Sequence, residues 1–152
     1  MGVAALATAL APHPIVFVDT MVIVYLLENH PVYGDVAATV MNTIEQGVVT
    51  GVTSMLTLAE LLTGPARAGN FTALRDYELY LTNFPNLTLH SIDADVARKV
   101  ATVRAATGLR TPDAIQLATA ELAGATAIVG NDKGWKGRTG ALDLLLLDAF
   151  LV

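Results

Sequence analysis

Ile15-Val16-Phe17-Val18-Asp19 is an uninterrupted apolar run closed by a carboxylate. A run of this kind, without polar alternation, reads as a strand buried on both faces, as strands inside parallel sheets are. Asp19 has no turn to serve, because more apolar sequence follows at once through Val22, Ile23, Leu26 and Leu27. Setting a carboxylate in such surroundings is costly unless it has a partner or a task. Asp19 therefore reads as functional.

Three further acids stand in comparable places. Glu60 lies a turn or two beyond Val48-Val49-Thr50-Gly51-Val52-Thr53, Asp113 follows Thr111-Pro112, and Asp132 closes Ala127-Ile128-Val129-Gly130-Asn131. In an open parallel α/β sheet, ligands bind outside the carboxyl ends of the strands. If these segments are neighbouring strands, Asp19, Glu60, Asp113 and Asp132 converge in one cleft. Unpaired, they would repel one another and some would protonate. A divalent cation removes that conflict, and carboxylates with water favour Mg²⁺ or Mn²⁺ over Zn²⁺.

The rest of the chain alternates strands and helices. Helical spacing covers 33–46, with Val36, Val40 and Ile44 on one face and Gly47 as its stop. Strands are expected near 48–53, 87–92, 125–130 and 144–147, and helices over 54–68, 71–84, 95–107 and 111–122. Strands separated by helical crossovers imply a parallel sheet of about five strands, covered by helices on both faces. The whole of 1–152 reads as one α/β domain, with 1–13 as an N-terminal extension that is either loose or packed. A signal peptide is the alternative for that extension, but Met1 to Ala11 has no basic n-region and is too short to span a bilayer.

Composition sets limits. Hydrophobic residues make up 53% of the chain and charged residues 15%, which excludes disorder and suggests apolar surface left for a partner. There is no Cys, so no disulfide framework or Cys-based zinc site is available. His13, His30 and His90 share no ligand spacing. Nine Lys and Arg against fourteen Asp and Glu give a net charge of −5, a poor balance for non-specific nucleic-acid binding. All of the basic residues lie between Arg67 and Arg138. Any grip on a polyanion must come from the C-terminal half, with metal neutralising the acids.

Local roles compete for each acid except Asp19. Thr57-Leu58-Ala59-Glu60 fits a capping box. Thr111-Pro112-Asp113 fits a helix start with Thr as cap and Pro in the first position. Asn131-Asp132 fits a turn after a strand. The coincidence of four acids at strand ends is the stronger signal.

With these residues in place, the chain resembles the PIN-domain nucleases, and within them the VapC-type ribonuclease toxins of prokaryotic toxin–antitoxin pairs. The first motif is similar to Val18-Asp19-Thr20 with the helix ending near Tyr25-Leu26-Leu27. The second is similar to Ser54 through Ala59-Glu60-Leu61-Leu62. The third, the most specific, is Gly108-Leu109-Arg110-Thr111-Pro112-Asp113-Ala114-Ile115 with Ala118-Thr119-Ala120 downstream. The fourth is Ala127-Ile128-Val129-Gly130-Asn131-Asp132 with Trp135 in the following loop. Gly130 stands where the family often has a hydroxyl or bulkier residue, and Lys133-Gly134 replaces its usual Arg/Asp-rich turn.

The resemblance implies a PIN-like fold and a cytoplasmic Mg²⁺- or Mn²⁺-dependent endoribonuclease. Asp19 and Asp113 would hold the metal directly, with Glu60 and Asp132 completing the set directly or through water. Thr20 would orient Asp19 or a metal-bound water, or merely cap a helix. Arg110, Lys133, Lys136 and Arg138 would contact RNA phosphates, or form an ordinary solvated loop face. Trp135 reads as core. The implied partners are an RNA substrate, a cognate antitoxin and a second copy of the chain, with no membrane. Part of the apolar content at Val22, Val24, Tyr25, Leu58, Leu61, Leu62 and Leu81 is expected to be covered by another chain.

Two other classes compete. A PIN-like binding module with weak or lost cleavage keeps the fold without the chemistry. A phosphoacceptor or phosphatase domain also places Asp at strand ends, but Asp19-Thr20-Met21 supplies neither adjacent acids nor Asp-x-Asp.

Overall fold

The computed structural model describes residues 2–152; Met1 lies outside the described residues. Five strands form one parallel sheet: Ile15–Val18 (β1), Thr50–Ser54 (β2), Leu87–His90 (β3), Ala127–Gly130 (β4) and Asp143–Leu146 (β5), in the order β3-β2-β1-β4-β5. From β1 the chain winds outward through β2 to β3, then returns to the other side of β1 for β4 and β5. The strand order therefore reverses between β1 and β4, where a crevice opens at the carboxyl ends. Register places Val18 opposite Val129, and the Asp19 amide donates to the Val129 carbonyl at 2.9 Å. Asp19 thus lies in that crevice.

The apolar run of β1 is explained by its place at the centre of the sheet. Val16 and Val18 face one core and Phe17 faces the other, and all three are fully buried. On the first side pack the helices Val3–Leu10 (α1), Thr20–Leu27 (α2) and Gly34–Glu45 (α3), with Leu61 of Met55–Arg67 (α4) and Leu81 of Phe71–Thr82 (α5) joining the same core. The second side is covered by Ala94–Thr107 (α6) and Thr111–Leu122 (α7). Gly51 lets α3 approach β2: a Cβ there would stand 2.7 Å from Ile44 Cδ1 and 3.0 Å from Leu87 Cδ1.

The N-terminal extension is packed. Leu6 and Leu10, one helical turn apart in α1, are both fully buried, a gain of about 1.5–3 kcal/mol each relative to exposure. The Gly2 amide donates to the Phe150 carbonyl at 2.8 Å, joining the two ends of the described chain. Strand β2 begins at Thr50 because Val48 still belongs to the end of α3: its amide bonds the Thr43 carbonyl and its side chain is exposed.

Two local expectations are corrected. Ser54, not Thr57, caps α4: its hydroxyl accepts the amides of Leu56 and Thr57. Thr57 is buried inside the helix, where its hydroxyl has partners on other elements. The cap of α7 is Arg110, with Thr111 and Pro112 as the first helical residues, one position earlier than expected.

The apolar helix residues expected to await a partner are also largely satisfied within the chain. Val22, Leu61 and Leu81 belong to the first core, and Val24, Tyr25 and Leu58 pack against it. The exposed apolar residues are others, among them Phe71 and Leu79 on α5 and Met55 on α4.

Candidate active site

Each acid is delivered by a different piece of the fold. Asp19 leaves the end of β1 and precedes α2, Glu60 sits on α4, Asp113 in the first turn of α7, and Asp132 two residues beyond β4. The parallel sheet brings all of these elements to its carboxyl edge.

Asp19 occupies the centre. Burial raises its pKa from 3.8 to about 6; the Thr20 amide and the Gln116 side chain pull it down, and the charges of Glu60 and Asp113 push it up. Only hydrogen-bond donors offset these, and no basic side chain is among its partners. Glu60 is linked to the same centre, because the Thr20 hydroxyl donates to its Oε1 at 2.9 Å. Thr20 is buried and is the first residue of α2, with Asp19 at the cap position, so its hydroxyl serves Glu60 and not a helix cap.

Asp132 keeps the local role that its sequence suggested. Its Oδ1 accepts the Gly134 amide at 2.8 Å and caps the short turn Lys133–Trp135. Asp132 and Asp113 nonetheless line one cavity of about 270 Å³, together with Arg110, Trp135 and Arg138. Neither Arg110 nor Arg138 makes a side-chain hydrogen bond or ion pair among the described residues. Lys133 differs, since its ammonium pairs with Asp148 at 3.4 Å. Trp135 is core, as expected, at 3% exposure, yet its indole N–H has no hydrogen-bond partner.

Beneath the acids lies a buried polar network that the motif reading missed. Gln116, on α7 one turn after Asp113, is 2% exposed. Its Nε2 donates to Asp19 Oδ1 at 3.3 Å, to Thr57 Oγ1 at 2.9 Å and to Thr20 Oγ1 at 3.4 Å. Its Oε1 accepts a short hydrogen bond from the Ser54 hydroxyl. Thr53 Oγ1 donates to the Val18 carbonyl at 2.8 Å, tying β2 to β1 directly below Asp19. The only trace of this network in the sequence is the cluster of hydroxyl residues Thr53, Ser54 and Thr57 beside apolar neighbours.

Among the described residues, no three acidic or histidine side chains stand close enough to chelate one metal ion as placed. The donor chemistry is nonetheless that of a hard divalent cation: carboxylate oxygens, one of them desolvated and facing like charges.

The sheet order and the acids at its reversal define a doubly wound α/β domain with an acidic crevice site. The PIN domain family model matches residues 16–140, and the chain belongs to that family. PIN domains are generally nucleases that use divalent metal ions. This membership removes the phosphoacceptor and phosphatase alternatives. No functionally curated protein matches the chain. Solved structures share its fold: VapBC2 from Rickettsia felis bound to a promoter DNA fragment is 19% identical, with a TM-score of 0.67 over 86% of this chain and 96% of that one. A toxin–antitoxin complex from Klebsiella pneumoniae is 20% identical, with a TM-score of 0.66 over 87% and 97%. FitAcB from Neisseria gonorrhoeae has the same identity, TM-score and coverage.

Proposed function

We propose that this PIN domain is a Mg²⁺- or Mn²⁺-dependent endoribonuclease and the toxin of a type II toxin–antitoxin pair, acting in the cytoplasm. The observation that carries the reading is Asp19: a half-buried, largely desolvated carboxyl, flanked by Glu60 and Asp113, that receives hydrogen bonds but no countercharge. Such an arrangement is costly at neutral pH unless a cation completes it. Asp19 and Asp113 would hold the metal, with Glu60 and Asp132 closing the set by side-chain rotation or through water. The bound cation supplies an activated water and charge relief at the phosphoryl and leaving oxygens.

The chain's own residues supply the rest. Arg110 and Arg138 project unpaired guanidinium groups beside Asp113 and Asp132, and guanidinium is suited to phosphate. They would hold the backbone of a single RNA strand while the carboxylates address the scissile phosphate. Lys133 contributes less, because its ammonium is paired with Asp148. A groove of about 450 Å³ between α2, α4 and α5, walled by Val24, Leu27, Leu61, Pro65 and Tyr77 with Glu60 at its rim, suits an antitoxin segment. The neighbour from Klebsiella pneumoniae is a toxin–antitoxin complex, which supports the pairing. A homodimer belongs to the same reading.

The test is direct. Purified protein should cleave RNA with Mg²⁺ or Mn²⁺, stop with excess chelator, and lose cleavage in Asp113→Asn while folding normally. Cleavage that survives the chelator removes the metal mechanism.

A further inference from the structure

Gln116 lies deeper than any of the acids and touches three of the elements that carry the site: the β1–α2 junction through Asp19 and Thr20, the end of β2 through Ser54, and α4 through Thr57. A fully buried amide with every group engaged is an expensive feature to place in a core, and its polar atoms must all find partners. Here the partners also determine which way the amide faces. The Ser54 hydroxyl already accepts the amides of Leu56 and Thr57, so its own proton is free only for Gln116 Oε1. That fixes the carbonyl end on Ser54 and the NH₂ end on Asp19, Thr57 and Thr20.

The direction propagates. The Glu60 carboxylate can only accept, so the single proton of the Thr20 hydroxyl is committed to Glu60 Oε1. Thr20 Oγ1 is then an acceptor toward Gln116 Nε2 and toward Thr57, 3.0 Å away. With Gln116 reversed, its carbonyl would face Asp19 and the Thr20 oxygen, and both contacts would turn repulsive.

We propose that Gln116 is the positioning residue of the acidic site: one buried amide, oriented by Ser54, fixes Asp19 directly and Glu60 through Thr20. Both carboxylates are thereby turned with their remaining lone pairs toward the crevice. Outer groups of this kind orient metal ligands, and their loss typically lowers metal affinity by about 10–100-fold. The inference rests on the metal-dependent reading above.

The experiment is calorimetric titration of the full chain with Mn²⁺ and with Mg²⁺, alongside thermal unfolding of the same samples. Gln116→Met keeps the side-chain length and removes the donors; Thr20→Val keeps the Gln116 bond to Asp19 but removes the relay to Glu60 together with the Thr20 contacts to Gln116 and Thr57, and stands in if Gln116→Met fails to fold. Cation affinity should fall by about tenfold or more in Gln116→Met and by a smaller factor in Thr20→Val, with both variants still unfolding cooperatively. Wild-type affinity retained in the folded variants would reduce Gln116 to a packing residue and overturn the proposal. Wild-type protein that binds neither cation would instead remove the metal-dependent reading itself, and this inference with it.

Discussion

Gly130 and Asp19 face each other across the β4–β1 pairing so closely that a Cβ on Gly130 would stand 3.3 Å from Asp19 Cβ and 3.5 Å from its Oδ2. The last residue of β4 therefore limits where the central carboxylate can go. A methyl group here would push Asp19 by a few tenths of an ångström, against the Gln116 hydrogen bond on its other side. Gly130→Ala should cost about 1–3 kcal/mol as an overpacking change and weaken divalent-cation binding. Thermal unfolding and metal titration of this one variant check both. If it binds cations as the wild type does, Asp19 has more freedom than the fold implies.

The raised pKa of Asp19 predicts a pH dependence with a definite sign. Its folded value, about 6, lies above the ordinary 3.8, so the protonated form is favoured by folding. The associated stability is present in full below pH 3.8 and is lost as pH rises through 6. The rise from 3.8 to about 6 corresponds to roughly 3 kcal/mol of metal-free stability missing above pH 7. Asp19→Asn should therefore melt several degrees higher than wild type at pH 7.5 without metal, and the gap should close near pH 4. It should also abolish cleavage. Equal melting temperatures at pH 7.5 would show that Asp19 is already relieved of its charge cost.

The fold was readable because its centre is so one-sided in composition. Ile15 to Val18 cannot be a surface segment, and the four later apolar runs at crossover spacing leave a parallel sheet as the economical arrangement. Sheet order was not readable, since it depends on which strand edges meet after the chain returns from β3. Asp19 was legible because its neighbours are apolar on both sides. Gln116 was not, because a lone Gln one turn after Asp113 resembles any helical polar residue. Its partners Thr57 and Ser54 lie 59 and 62 residues away. The same distance effect explains Thr57, whose local capping pattern gave way to tertiary partners. That Leu61 and Leu81 belong to the part of the apolar set covered within the chain is not legible either, because periodicity marks an apolar face without saying what covers it.

Substrate grip should divide the basic residues into two pairs. Arg110→Ala with Arg138→Ala removes the two guanidinium groups of the cavity that Asp113 and Asp132 share. For single-stranded RNA, losing two phosphate contacts should raise KM and flatten the log–log salt dependence by about 1.4. Lys133→Ala with Lys136→Ala breaks the Lys133 pair with Asp148, outside that cavity, and should leave the slope close to wild type. Salt titrations of the three proteins at saturating metal decide the matter: equal slopes in all of them would make the arginine loop a solvated surface.

If the proposed antitoxin segment lies in the groove between α2, α4 and α5, its binding should be blocked at Gly64 without disturbing the chain. Gly64 on α4 lines the groove between α2, α4 and α5, and a Cβ there would meet nothing within 4 Å. A large side chain at this position projects into the groove, and leucine favours a helix interior over glycine by up to about 1 kcal/mol. Gly64→Leu should thus leave thermal stability unchanged or raised, and RNA cleavage intact, while filling space that an antitoxin segment needs. A basic side chain of that segment would come to lie near Glu60 and Glu28 on the groove wall, supplying the charge that the acids otherwise take from metal. Analytical ultracentrifugation at micromolar concentration should show wild type as a dimer or, with the protein encoded beside it, as a heteromeric complex. In Gly64→Leu the heteromer should weaken at least tenfold, about 1.4 kcal/mol, while any homodimer persists. A heteromer that forms equally well with the filled groove would place the partner elsewhere on the surface, with the exposed Phe71 and Leu79 of α5 the next candidates.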